Sequence, residues 1–254
     1  MIQVYIIECV NPEIEDQIGI QCAERFIYPR AEQENIGISV GEPKDKYEII
    51  KLLNDAYHEM KTMGRPCPPI VLHIDSHGND DGFLTRNEEL FTWKELSPFC
   101  QQLSRISNIQ LIMIMGTCSG AYSMEMLKPY DIAPYYCTFG PRSNIGNRQL
   151  MDFYRDFYNE LLTYKKIDVV TQHIINKYRD VIMHTSSFYL FQSLYKNYLF
   201  QQRNKFGIQR KNKMIRKIKK LPILRKNKEK SMRYLNKTGQ LTVDLFPQFR
   251  KQFS

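Results

Sequence analysis

Two short stretches of the chain carry residue types that do chemistry. Asp75-Ser76-His77-Gly78-Asn79-Asp80-Asp81-Gly82 follows the apolar run 69–74, and Gly116-Thr117-Cys118-Ser119-Gly120-Ala121 follows the apolar run 109–115. A cysteine works as a nucleophile when a nearby base takes its proton and backbone donors receive the oxyanion that forms. Glycines beside both His77 and Cys118 let the main chain come close to a substrate carbonyl. A single cysteine after a strand is more often a small buried hydrophobe, and a single strand-end histidine is more often structural. The combination favours chemistry: a His-Gly at one strand end and a Gly-flanked Cys at another, forty-one residues on.

Two other chemistries draw on the same residues. Gly116-x-Cys118-x-Gly120 has the form of a nucleophile elbow, a device whose histidine lies downstream of the nucleophile. The downstream candidates, His173 and His184, both fall in helical patterns away from a strand end. His73-x-Asp75-x-His77, with Asp80, puts metal-ligand types at alternate positions. Alternation on a strand would send all three toward a face covered by helices, and His73, between Leu72 and Ile74, reads as a core histidine.

The elements that must position His77 and Cys118 are legible as a strand–helix alternation. Residues 2–8, 69–74, 109–115 and 134–139 are short, nearly continuous apolar runs, the pattern of strands buried on both faces. Ile49, Ile50, Leu53, Ala56, Tyr57 and Met60 recur at helical steps and predict a helix over 46–63. Thr92-Trp-Lys-Glu95 is a capping box opening a second helix to about residue 106. Further helices are predicted over 119–128, 147–164, 167–179 and 185–201, and a small hairpin over 82–93. Such alternation predicts an α/β fold with a mostly parallel sheet and helices on both faces. In that arrangement ligands gather at the carboxyl ends of the strands, which places His77 and Cys118 on one edge, about a strand spacing apart. The predicted helix after Cys118 would favour its thiolate through the helix dipole.

Taken together, the stretches SHGNDDGF, EELFTWKEL and LIMIMGTCSGAY resemble the caspase-like (clan CD) cysteine peptidases, with the nearest likeness to the short bacterial caspase-like and CHAT-type proteases. The resemblance covers roughly residues 1–180. It implies a caspase-like domain, His77 as general base and Cys118 as nucleophile, with the amides of Gly78 and Cys118 forming the oxyanion hole. The implied reaction is attack of the thiolate on a peptide carbonyl, an acyl-enzyme, and hydrolysis, with no metal and no cofactor. In several of these families the residue two before the nucleophile lines the primary specificity pocket; here it is Gly116, so specificity for Asp, Arg or Asn does not transfer. Asp75 and Asp131 are the acids that would lend such a pocket polarity. The resemblance also implies a regulated enzyme in a bacterial defence (antiviral) or cell-death pathway.

Composition supports a folded, helix-and-sheet body. The chain has 254 residues, 43% of them hydrophobic and 25% charged, which excludes wholesale disorder. No apolar run approaches the roughly 18 residues of a membrane-crossing helix. The first nine residues have no basic leader and read as a strand rather than a secretory signal. Six cysteines without CxxC pairs argue against a disulfide framework or a structural zinc site and for a reducing, cytoplasmic setting.

Charge divides the chain in two. Residues 203–237 hold fifteen Lys or Arg and one acid, a balance of +14 within a total of +9, so the remainder carries −5. This predicts a peptidase domain over 1–200 and a basic helical C-terminal extension over 201–254. Met214, Ile215, Ile218 and Leu221 would form a narrow apolar stripe stopped by Pro222. Three roles compete: an arm packed on the acidic body or on a partner protein, a nucleic-acid contact, or a segment lying on an anionic membrane surface. Residues 241–249 are apolar enough to dock on the body or on an activating partner. Beside the peptidase stands a second expectation, a non-catalytic caspase-like scaffold whose basic arm is the working surface.

Overall fold

The apolar runs fold as strands because both of their faces find partners. The computed structural model describes residues 1–64, 66–127 and 132–187. Strand β1 (Ile2–Glu8) has all seven residues buried. It leads into a helical stretch made of α1 (Ile18–Cys22), a π-helical turn (Ala23–Ile27) and α2 (Tyr28–Glu34), then β2 (Ile36–Gly41). Helix α3 (Lys46–Thr62) is capped by Asp45, whose side chain accepts from Glu48 N, and buries Ile49, Leu53, Ala56 and Met60. Next come β3 (Ile70–Asp75) and a small antiparallel sheet of β4 (Gly78–Asn79), β5 (Gly82–Leu84) and β6 (Leu90–Thr92). Helix α4 (Trp93–Ile106) opens with the Thr92–Glu95 capping box, both reciprocal bonds present. Strand β7 (Leu111–Gly116), a 3-10 run (Gly120–Met126) and β8 (Cys137–Pro141) follow. Helices α5 (Asn147–Tyr164) and α6 (Ile167–Tyr178) lead to β9 (Ile182–Ser186).

The main sheet has the order β2-β1-β3-β7-β8-β9. All neighbours are parallel except β8 and β9, which run antiparallel. One face packs Val4, Ile6, Val71, Ile112 and Ile114 against α1 and α5 residues such as Cys22, Phe153 and Phe157. The other packs Tyr5, Ile7, Leu72 and Met113 against Ile49 and Leu53 of α3 and Leu96, Cys100 and Leu103 of α4. The expected α/β architecture, a mostly parallel sheet with helices on both faces, is therefore what forms. The chain winds from β1 to β2 on one side and then returns to β3 on the other. In sheets of this kind ligands gather where the strand order reverses, here at the carboxyl ends of β1 and β3.

Four elements differ from the sequence-based expectation. Strand β2 lacked a strong apolar signal because Gly37 and Gly41 interrupt it; the space beside them is taken by side-chain ends, a Cβ at Gly37 falling 1.8 Å from Gln3 Oε1 and one at Gly41 2.5 Å from a Leu52 methyl. The helical stretch 18–34 was not foreseen. The segment after Cys118 is a seven-residue 3-10 run rather than an α-helix, so the dipole argument for its thiolate falls away. Residues 185 and 186 belong to β9 and not to a helix, since pairing with β8 satisfies their backbone. Residues 188–201 of the helix predicted over 185–201, and the whole basic extension, lie outside the described residues. Among the described residues no helix is long and apolar enough to cross a membrane.

Candidate active site

Register brings the two chemistry-bearing stretches together. Strands β3 and β7 pair in parallel with Asp75 opposite Gly116, and Ser76 N donates to Gly116 O at 3.3 Å. His77 and Cys118 therefore leave the carboxyl ends of adjacent strands, each two residues past this matched pair. Beyond the strands the two loops stay in contact. A Cβ on Gly78 would lie 2.9 Å from Thr117 Cβ and 2.9 Å from Gly82 O, so only glycine lets the His77 loop rest against the Cys118 turn. Gly120 is equally confined, since a Cβ there would lie 2.9 Å from Met115 O, and Gly120 N donates to Thr117 O at 2.9 Å. Ser119 takes a left-handed φ of 58°, which folds the chain back at once after the cysteine.

The Ser76 hydroxyl donates to His77 O at 2.9 Å and to Leu84 O, and Leu84 N donates to His77 O at 2.8 Å. These bonds pin the backbone that presents the imidazole. The His77 ring is 57% exposed, and its Nε2 lies 3.0 Å from Oε1 of Glu15, in the loop after β1. Cys118 is half-buried, and among the described residues no hydrogen bond joins it to His77. A thiol and an imidazole at rest without such a bond remain competent partners, because catalytic contacts commonly tighten only with substrate.

Asp75 and Gly116 both lie under the sheet's covering helix. Asp75 is 3% exposed and accepts from the Tyr154 hydroxyl at 3.0 Å. A Cβ on Gly116 would lie 1.8 Å from that hydroxyl, so Tyr154 fills the space this position leaves. Burial drives the Asp75 carboxyl well above the usual carboxylate range, and nearby Glu8 pushes it the same way. Asp131, the third pocket candidate, lies outside the described residues. His73 is fully buried, with Nδ1 2.9 Å from the Tyr158 hydroxyl, and burial lowers it to about 3, leaving a neutral ring. Among the described residues no three His, Cys, Asp or Glu side chains converge to hold a metal ion. His173 sits on α6 against Glu160, and His184 sits on β9 against Phe139, with β8 between it and the Cys118 strand.

Two acids next to these loops were not singled out by the sequence. Glu8 is fully buried at the end of β1, opposite Asp75, and accepts from Val10 N at 3.2 Å and Gly19 N at 2.9 Å. Burial raises its carboxyl to about 7 against those backbone bonds. Glu15 reaches His77 from a loop sixty-two residues away. Its only sequence signal was position: in a parallel sheet the loop after β1 opens on the same edge as the loops after β3 and β7.

A groove of about 470 Å³ lies around the start of α4, lined by Asp81, Thr92, Trp93 and Ser97 and by Glu125 and Met126 at the far end of the 3-10 run; among the described residues neither His77 nor Cys118 lines it.

No protein-family model matches the chain, and no curated protein matches it in sequence. Among solved structures it is similar to the Drosophila initiator caspase Dronc. The match has a TM-score of 0.54 at 9% identity and covers 73% of this chain and 78% of the other. At that identity the likeness is one of fold, and with the sheet order and the helices on both faces it establishes that the chain has a caspase-like fold.

Proposed function

We propose that the chain is a caspase-like cysteine peptidase acting on a protein substrate. His77 is the general base and Cys118 the nucleophile, with the amides of Gly78 and Cys118 receiving the oxyanion. The carrying observation is the parallel register of β3 and β7, which delivers both residues to one sheet edge with Gly78 seated against Thr117. The imidazole takes the thiol proton, the thiolate attacks the scissile carbonyl, and the imidazolium returns the proton to the leaving amine. Water then attacks the acyl-enzyme with the same imidazole as base.

Within caspase-like proteins we place it with the short bacterial CHAT-type enzymes, cytoplasmic and regulated, in a defence or cell-death pathway. Residues 203–237 would serve as a cationic arm for the acidic body of this protein or of a partner protein. The dyad predicts that Cys118→Ala and His77→Ala each lower cleavage by at least about 10²-fold. Comparing new protein N-termini in cells that express the wild-type and the two variant chains checks this. Cleavage products that persist at wild-type level in either variant would remove the dyad.

A further inference from the structure

The contact between His77 and Glu15 joins the loops that follow β3 and β1, and nothing in the dyad itself requires it. Glu15 is 41% exposed, so its contact adds little to overall stability. Its geometry is nonetheless fixed from several directions. The loop that carries it is tied at both ends to one buried carboxyl, since Glu8 Oε1 accepts from Val10 N and Glu8 Oε2 from Gly19 N. Gly19 is tightly enclosed there; a Cβ would stand 3.0 Å from that Oε2 and 3.1 Å from Asp75 Cβ, so those neighbours would have to give by a few tenths of an ångström. The loop start is also sewn to the His77 strand, with Cys9 N donating to Asp75 O at 2.8 Å. Inside the loop Asn11 makes a turn: its carbonyl accepts from Ile14 N and Glu15 N, and its Oδ1 from Glu13 N. A buried acid that could have been an apolar residue thus holds a surface acid against the imidazole.

We propose that Glu15 is a positioning residue for His77, held in place by the Glu8 clamp. This rests on the reading of His77 and Cys118 as a dyad. A carboxylate accepting at Nε2 keeps the hydrogen on that nitrogen and leaves the Nδ1 lone pair on the other side of the ring. It also stabilises the imidazolium formed when the thiol proton is taken. Substrate contact is not part of the role.

The test uses the full chain and needs no substrate. Long-range proton–nitrogen correlation spectra of His77 report its tautomer, and peptide mass spectrometry reports the rate at which iodoacetamide labels Cys118 at a fixed, mildly acidic pH. In the wild type the Nε2–H tautomer dominates. Glu15→Ala is expected to mix the tautomers and slow Cys118 labelling about tenfold. Glu15→Gln, which keeps an acceptor oxygen, restores the tautomer and part of the rate. An unchanged His77 tautomer in Glu15→Ala overturns the proposal, whatever the labelling shows. A tautomer that shifts while neither Glu15→Ala nor His77→Ala alters Cys118 labelling supports the positioning role and sinks the dyad instead.

Discussion

Glu8 is the residue whose chemistry departs furthest from its place in the chain. A carboxyl at the end of a buried strand loses its hydration, and only part of that loss is recovered from the amides of Val10 and Gly19. Its titration moves from about 4.5 up to about 7, and neighbouring Asp75 moves upward as well. Both groups bind their protons more tightly in the folded state than in the unfolded one. The stabilising effect of Glu8 is therefore full below the ordinary carboxylate range and is lost as pH climbs through about 7, and that of Asp75 likewise weakens as pH rises. Denaturation midpoints measured across pH 4.5 to 7 should fall more steeply for the wild type than for Glu8→Gln, by at most about 1.4 kcal/mol per pH unit. Parallel curves for the two proteins would show that Glu8 is ionised in the fold. At this scale the sequence disclosed His77 and Cys118 because each sits beside glycines after an apolar run. It did not disclose Glu8, whose place inside an apolar strand carries no mark of a partner eleven residues away.

At the scale of elements, capping and strand patterns were legible and pairing partners were not. The Thr92–Glu95 box forms as its spacing predicts, and it matters beyond α4 because Thr92 also ends β6 and pairs with Gly82. Thr92→Ala leaves the Glu95 amide without its side-chain acceptor, and thermal denaturation should show a loss of about 1 kcal/mol. A melting curve that superimposes on the wild type would assign the helix start to packing alone. Helices 46–62 and 147–164 followed from periodicity, since an amphipathic stripe is a local property. Strands β2 and β9 did not, because their signals depend on what lies beside them. β2 is half-buried and glycine-bearing at the sheet's edge, and β9 acquires its form from hydrogen bonds to β8. The 3-10 run after Cys118 is likewise decided by neighbours: Gly140 of β8 would bring a Cβ within 2.5 Å of the Gly120 carbonyl carbon.

For the whole molecule, the fold sorts six thiols into two classes. Cys9, Cys22, Cys100 and Cys137 are buried, and burial pushes each thiol upward, whereas Cys67 and Cys118 are partly exposed. Burial also raises Cys67. Native protein treated briefly with iodoacetamide should lose at most these two thiols, Cys118 first, and unfolded protein all six; mass spectrometry counts them. Rapid loss of four or more thiols from native protein would contradict the packing. Composition, periodicity and two glycine-flanked motifs determined that this chain makes a layered α/β body and which two residues to watch, because those signals lie within a few residues of one another. The tertiary structure decided the rest: that β3 and β7 are neighbours in register, that Tyr154 occupies the space beside Gly116, and that a clamped loop after β1 brings Glu15 to His77. Each of these depends on atoms that only the closed sheet and its covering helices bring within bonding distance, and no local pattern encodes which distant segment will arrive there.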